Sequence, residues 1–76
     1  MRILSSTGFG VYIYDDEHPP AHCHVIFNNG SELCVTLPLL QEMFGKKIQK
    51  SVKRFLEENI DILLDEWENR NPKQHN

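Results

Sequence analysis

The pair Asn29-Gly30 constrains this chain more than any other feature. It lies between two runs rich in strand-forming residues, 22–27 and 32–36. Asn-Gly is the preferred centre of a two-residue type I′ hairpin turn, where both central residues take positive φ. That turn pairs Asn28 with Ser31, Phe27 with Glu32, Ile26 with Leu33, Val25 with Cys34 and His24 with Val35. One face of the hairpin then carries His22, His24, Ile26, Leu33 and Val35. The other carries Cys23, Val25, Phe27, Glu32, Cys34 and Thr36. The two faces come out about equally apolar, so the pattern leaves open which one meets the rest of the core. Cys23 and Cys34 fall as diagonal neighbours on one face, a spacing poor for a disulfide.

Upstream, Val11-Tyr12-Ile13-Tyr14 is β-branched and aromatic and reads as a strand, with Thr7-Gly8-Phe9-Gly10 as a turn before it. Residues 2–5 add a short edge strand. Asp15-Asp16-Glu17-His18-Pro19-Pro20 forms a stiff acidic loop, since two successive prolines fix φ and remove two donors. Downstream, Pro38 suits a first helical turn, which predicts a short helix from Pro38 to Phe44 that stops at Gly45. A long helix is expected from about Lys47 to Asn69. Its apolar positions are Ile48, Val52, Phe55, Leu56, Ile60, Leu63, Leu64 and Trp67. At about 100° per residue, the stripe of the second half is rotated by roughly 60° from the first. Ile62 falls off the stripe. The helix must therefore wrap around the sheet or break near Asn59.

With 76 residues the chain affords one domain and a modest core. Residues 1–70 are expected to form that domain and 71–76 a disordered polar tail. No apolar run reaches the ~20 residues of a membrane span. The start, Met-Arg-Ile-Leu-Ser-Ser, is unlike a signal peptide. Two cysteines are too few for a secreted disulfide scaffold, and a reducing cytoplasm is expected.

The net charge of −3 argues against bulk nucleic-acid affinity, but the charges are not mixed. Lys46, Lys47, Lys50, Lys53 and Arg54 form one block, and Glu57, Glu58, Asp61, Asp65, Glu66 and Glu68 another. Lys46, Lys50, Lys53 and Arg54 are candidates for contact with a nucleic acid or a protein partner. The blocks read equally as two solvated helix faces, which need no function.

The most distinctive chemistry is His18-Pro-Pro-Ala-His22-Cys-His24. On a strand, positions 22 and 24 share a face, about 7 Å apart along the chain. The rigid turn before them can fold His18 back towards that face. Three neutral imidazoles, His18, His22 and His24, make a candidate site for a divalent metal such as Zn²⁺. Asp15, Asp16 and Glu17 are candidate oxygen ligands or partners of the ligating rings. Histidines here could equally carry proton transfer, bind phosphate, stack on a base, or simply hold the acidic loop. Cys23 points away from both strand histidines and reads as a small core residue.

These features together resemble the bacterial proteins grouped as domain of unknown function 4160. The resemblance rests on Gly10-Val11-Tyr12-Ile13-Tyr14, the acidic loop, His18-x-Pro20-Ala21-His22-x-His24-Val25, the hairpin, Gly45 and the closing Leu63-Leu64-Asp65-Glu66-Trp67. It covers nearly the whole chain; the histidine element is fairly specific and the helical part generic. It implies a short stand-alone cytoplasmic protein whose gene often sits beside another small gene. Some members carry loose labels as toxin–antitoxin components or regulators. It makes His18, His22 and His24 the hallmark, and it supplies no reaction. This chain departs from relatives that carry a charged residue near Ile60 or an apolar one in place of Cys23.

The expected architecture is α+β, an antiparallel sheet of three to four strands followed by a short and then a long helix on one face. The leading functional expectation is a binding or regulatory module, toxin–antitoxin-like, acting through a small protein or a nucleic acid. The alternatives are a metal-dependent or histidine-based hydrolase or nuclease built on His18, His22 and His24, and a domain in which an ion mainly stabilises the fold.

Overall fold

The computed structural model describes residues 1–44 and 47–72. Strands β1 (Arg2–Ser6), β2 (Phe9–Tyr12), β3 (His22–Phe27), β4 (Glu32–Thr36) and β5 (Glu42–Phe44) precede helices α1 (Lys50–Glu58) and α2 (Ile60–Arg70). The fold is α+β. The sheet is an antiparallel meander in the order β1-β2-β3-β4-β5, with five strands where three to four were expected.

The β3–β4 hairpin corrects the expected register by one residue. Its turn holds three residues between Phe27 and Ser31, closed by Phe27 N–H to the Ser31 carbonyl (2.9 Å) and Gly30 N–H to the Phe27 carbonyl (2.9 Å). Gly30 alone of the turn takes positive φ, at 90°. A three-residue loop ending in a left-handed glycine is the next commonest hairpin after the two-residue type. Asn29 favours it by accepting hydrogen bonds from the Ser31 N–H and hydroxyl through Oδ1. His24 therefore faces Cys34, Cys23 faces Val35 and Val25 faces Leu33.

A one-residue slip sends every β4 side chain to the other face. Cys23, Val25, Leu33 and Val35 now line a single apolar face, all essentially without solvent contact. His22, His24, Glu32, Cys34 and Thr36 share the opposite face. The two cysteines consequently lie on opposite faces and are both free.

β2 begins two residues earlier than expected and ends at Tyr12, so Gly10 is a strand residue. A Cβ there would meet the Arg2 Cδ at 3.0 Å and the Tyr12 ring at 3.1 Å, so a larger residue requires those two side chains to give way by a few tenths of an ångström. The helix expected from Pro38 is instead a turn and a strand. Leu40 takes φ of 59°, its N–H bonds to the Thr36 carbonyl, and the Thr36 N–H bonds to the Gln41 carbonyl. The chain reverses there, burying Leu37 and Leu40, and β5 pairs with β4. The expected stop at Gly45 lies outside the described residues.

The long helix breaks at Asn59, which caps α1 and opens α2 with φ −118° and ψ 21°. Its side-chain amide donates to the Phe55 carbonyl (2.8 Å). The break lets both rotated stripes reach the core: Val52 and Leu56 from α1, Leu63 and Trp67 from α2. Phe55 packs edge-on against Phe9, with ring centroids 5.4 Å apart. Ile62, off both stripes, is exposed.

Candidate metal centre

An acidic loop, the strand it leads into and the distant end of α2 converge on one point. β3 supplies His22 and His24, two residues apart and thus on one face. The acidic loop supplies Glu17, turned inward after Asp16 takes a left-handed φ of 59°. Asp is among the few residues that tolerate that conformation. The last turn of α2 closes over both. Glu17 Oε1 stands 3.0 Å from His22 Nε2 and 2.9 Å from His24 Nε2. The three ligand atoms lie within 4.8 Å of one another.

The outer nitrogen of each ring is committed. His22 Nδ1 is 2.8 Å from the Pro20 carbonyl, which can only accept, so Nδ1 carries a proton. His24 Nδ1 is 2.7 Å from Glu32 Oε2 and donates to it. In their neutral forms both rings therefore aim the Nε2 lone pair at a carboxylate oxygen. Acceptors facing acceptors need a cation or extra protons between them. Extra protons would set two like-charged rings with centroids 5.2 Å apart, each held by a carboxylate at 3.0 Å or less. One divalent ion would satisfy all three atoms at once.

The distances suit that role. Bonds of 2.0–2.1 Å place neighbouring ligand atoms about 2.9 Å apart around an octahedral ion and about 3.3 Å around a tetrahedral one. A ligating histidine nearly always donates its other N–H to a carbonyl or carboxylate, as both rings do here. His22 is buried against Trp67, with ring centroids 5.0 Å apart. The His24 side chain is 12% exposed and the Glu17 side chain 26%, so the site opens on the carboxylate side.

The register that set Cys34 opposite His24 also brings its sulfur 3.1 Å from His24 Nδ1. Burial, then the Glu32 and Glu17 carboxylates, push the Cys34 thiol up to about 11. With His24 and Glu32 it forms a second group of converging ligand atoms, also within 4.8 Å of one another, on the Nδ1 side of the His24 ring. Tyr14 packs edge-on against His24 at 4.7 Å. Burial, then Glu32 and further negative neighbours, raise its phenol above the usual tyrosine range.

Of the histidines singled out in the sequence, the structure brings His22 and His24 together. His18 is exposed and belongs to no group of converging ligand atoms among the described residues. Of the three loop carboxylates, Glu17 enters the site, while Asp15 pairs with Arg70 at 3.4 Å. Lys50, Lys53 and Arg54 are exposed on α1, and Lys46 lies outside the described residues. Lys50 and Arg54 border a cleft of about 400 Å³ with Ser6, Phe55 and Glu58, which contains none of the converging ligands. Glu32 and Asn71 escaped the sequence reading. The three-residue turn would have found Glu32; no local signal marks Asn71.

Residues 8–68 match the family model described as domain of unknown function (DUF4160). The chain belongs to that family. The match spans the DUF4160 sheet from the end of the β1–β2 turn, the histidine element and nearly all of α2. No curated protein and no solved structure matches this DUF4160 chain. No helix among its described residues is long and apolar enough to cross a membrane.

Proposed function

We propose that this DUF4160 protein is a divalent-metal-binding domain whose ion is held by His22 Nε2, His24 Nε2 and Glu17 Oε1. The single observation behind the reading is one carboxylate oxygen lying 3.0 Å and 2.9 Å from two imidazole nitrogens whose partner nitrogens both serve oxygens. Two nitrogens and a carboxylate suit Zn²⁺, Fe²⁺ or Mn²⁺ and leave further positions for water or a substrate. A bound ion ties loop, sheet and α2 together, so it stabilises the folded state by mass action.

The test is metal content of untagged protein, followed by thermal unfolding of metal-stripped protein with and without Zn²⁺. Near-stoichiometric metal and a rise in Tm that disappears in His22→Ala and His24→Ala support the reading. A Tm indifferent to Zn²⁺, Fe²⁺ and Mn²⁺ contradicts it.

A second reading is the cytoplasmic binding or regulatory module, and it draws on a different region. Leu39, Met43 and Phe44 are 72%, 45% and 52% exposed around the edge strand β5. Exposed apolar residues beside a strand edge that no other described strand pairs fit a small protein partner that adds a strand. Co-purification of such a partner, abolished by Phe44→Lys, is the outcome it requires.

A further inference from the structure

Resting on the metal reading above, we infer that Asn71 is a positioning residue for the metal centre, and that ion binding and docking of the α2 C-terminus are one coupled event. The observation is a set of contacts at the end of α2. Pro72 bars the helix from continuing, and Asn71 leaves helical geometry with φ −133° and ψ 66°. Its own N–H still bonds to the Trp67 carbonyl at 2.7 Å. The side chain is thereby freed to turn on the acidic loop, where it uses both of its ends. Oδ1 accepts the Glu17 backbone N–H at 2.6 Å, and Nδ2 donates to the Tyr14 carbonyl at 2.9 Å.

Glu17 has no regular structure to hold it. It sits in a loop between β2 and β3, one residue after a left-handed turn. The Asn71 amide is a bracket across residues 14 to 17, and it holds the backbone from which the Glu17 carboxylate spans both imidazoles. The same helical turn seats Trp67 against His22 and Arg70 beside Asp15. The end of α2 thus touches two of the three ligand-bearing residues directly, 50 residues or so further along the chain. An ion gripping Glu17, His22 and His24 holds the loop in the conformation that Asn71 reads. Coupling of two binding events is reciprocal, so whatever Asn71 adds to ion affinity the ion returns to the docked helix end.

The experiment is Zn²⁺ affinity by competition with a chromophoric chelator, for wild type, Asn71→Ala and Asn71→Asp, each checked for fold by circular dichroism and for apo Tm. Alongside it, amide hydrogen exchange of the wild type is followed with and without Zn²⁺. Removing groups that orient ligands typically weakens metal binding by about 10–100-fold. The expected result is a loss of that size in an Asn71→Ala that still folds without metal, its apo Tm lowered by the two lost hydrogen bonds. Partial rescue is expected in Asn71→Asp, which keeps an acceptor for the Glu17 N–H. Zn²⁺ should slow exchange of the Glu17 and Asn71 amides. A folded Asn71→Ala that binds as tightly as wild type overturns the inference and leaves the metal reading intact. A lowered apo Tm with unchanged affinity shows a merely structural role and does the same. Should Asn71→Ala not fold, wild-type exchange at Glu17 and Asn71 unaffected by Zn²⁺ overturns it. A wild type that binds no metal removes both.

Discussion

His24 stands directly across the sheet from Cys34, with the thiol sulfur 3.1 Å from Nδ1 and Glu32 competing for the same nitrogen at 2.7 Å. This pairing exists only in the three-residue hairpin register, and the site depends on it. In the two-residue register Val35 would face His24, and Glu32 would lie on the far side of the sheet. Gly30, at φ 90°, sets that register. Gly30→Ala should destabilise the domain by about 1–2 kcal/mol, because a Cβ is disfavoured at positive φ. Urea unfolding measures this, and an unchanged midpoint would show that the turn does not fix the hairpin.

Cys23 has no solvent contact, and burial pushes its thiol up to about 12, with Cys34 adding to the rise. The folded state holds that proton more tightly than the unfolded chain. The resulting stability is fully present below the unfolded cysteine value of about 8.5 and is lost as pH rises towards the folded value. Unfolding free energy should therefore fall between about pH 9 and pH 12, and Cys23→Ala should flatten part of that fall. At pH 8 a thiol reagent should leave Cys23 unlabelled until denaturant is added. Rapid native labelling would contradict the packing described for β3.

Leu56 and Leu63 are both fully buried, one on each side of the Asn59 break. Truncating either to alanine should cost about 2–5 kcal/mol. In a 76-residue domain that is a large share of the total stability. Ile62→Ala, at an exposed position, should change stability by no more than about 0.5 kcal/mol. Comparable losses at Ile62 and Leu63 in thermal unfolding would mean that α2 presents a different face to the sheet.

The class of fold was legible in the residues because strand-forming runs precede helical periodicity, and the break at Asn59 was foreshadowed by the rotation of its stripe. The hairpin misled because Asn-Gly fits two turn types. The deciding clue was present: the two-residue register makes both faces equally apolar, while the three-residue register gathers Cys23, Val25, Leu33 and Val35 on one face. The strand at Glu42–Phe44 was masked by Pro38, a good helix opener in isolation, and by Leu40, which adopts a left-handed φ that its residue type disfavours. In the site, His22 and His24 followed from strand alternation alone. Glu17 could be named only as one of three carboxylates, since the loop's path is set by Asn71, 54 residues away. His18 attracted attention as a third imidazole, yet the chain leaves it in solvent.

That contrast gives the most direct test of the central claim. Zn²⁺ titration by calorimetry should be run on wild type, Glu17→Gln and His18→Ala. The account predicts one ion per chain in wild type, the same stoichiometry and affinity in His18→Ala, and binding weakened at least about 10-fold in a folded Glu17→Gln. Absence of binding by wild type, or binding lost with His18 and indifferent to Glu17, would contradict it.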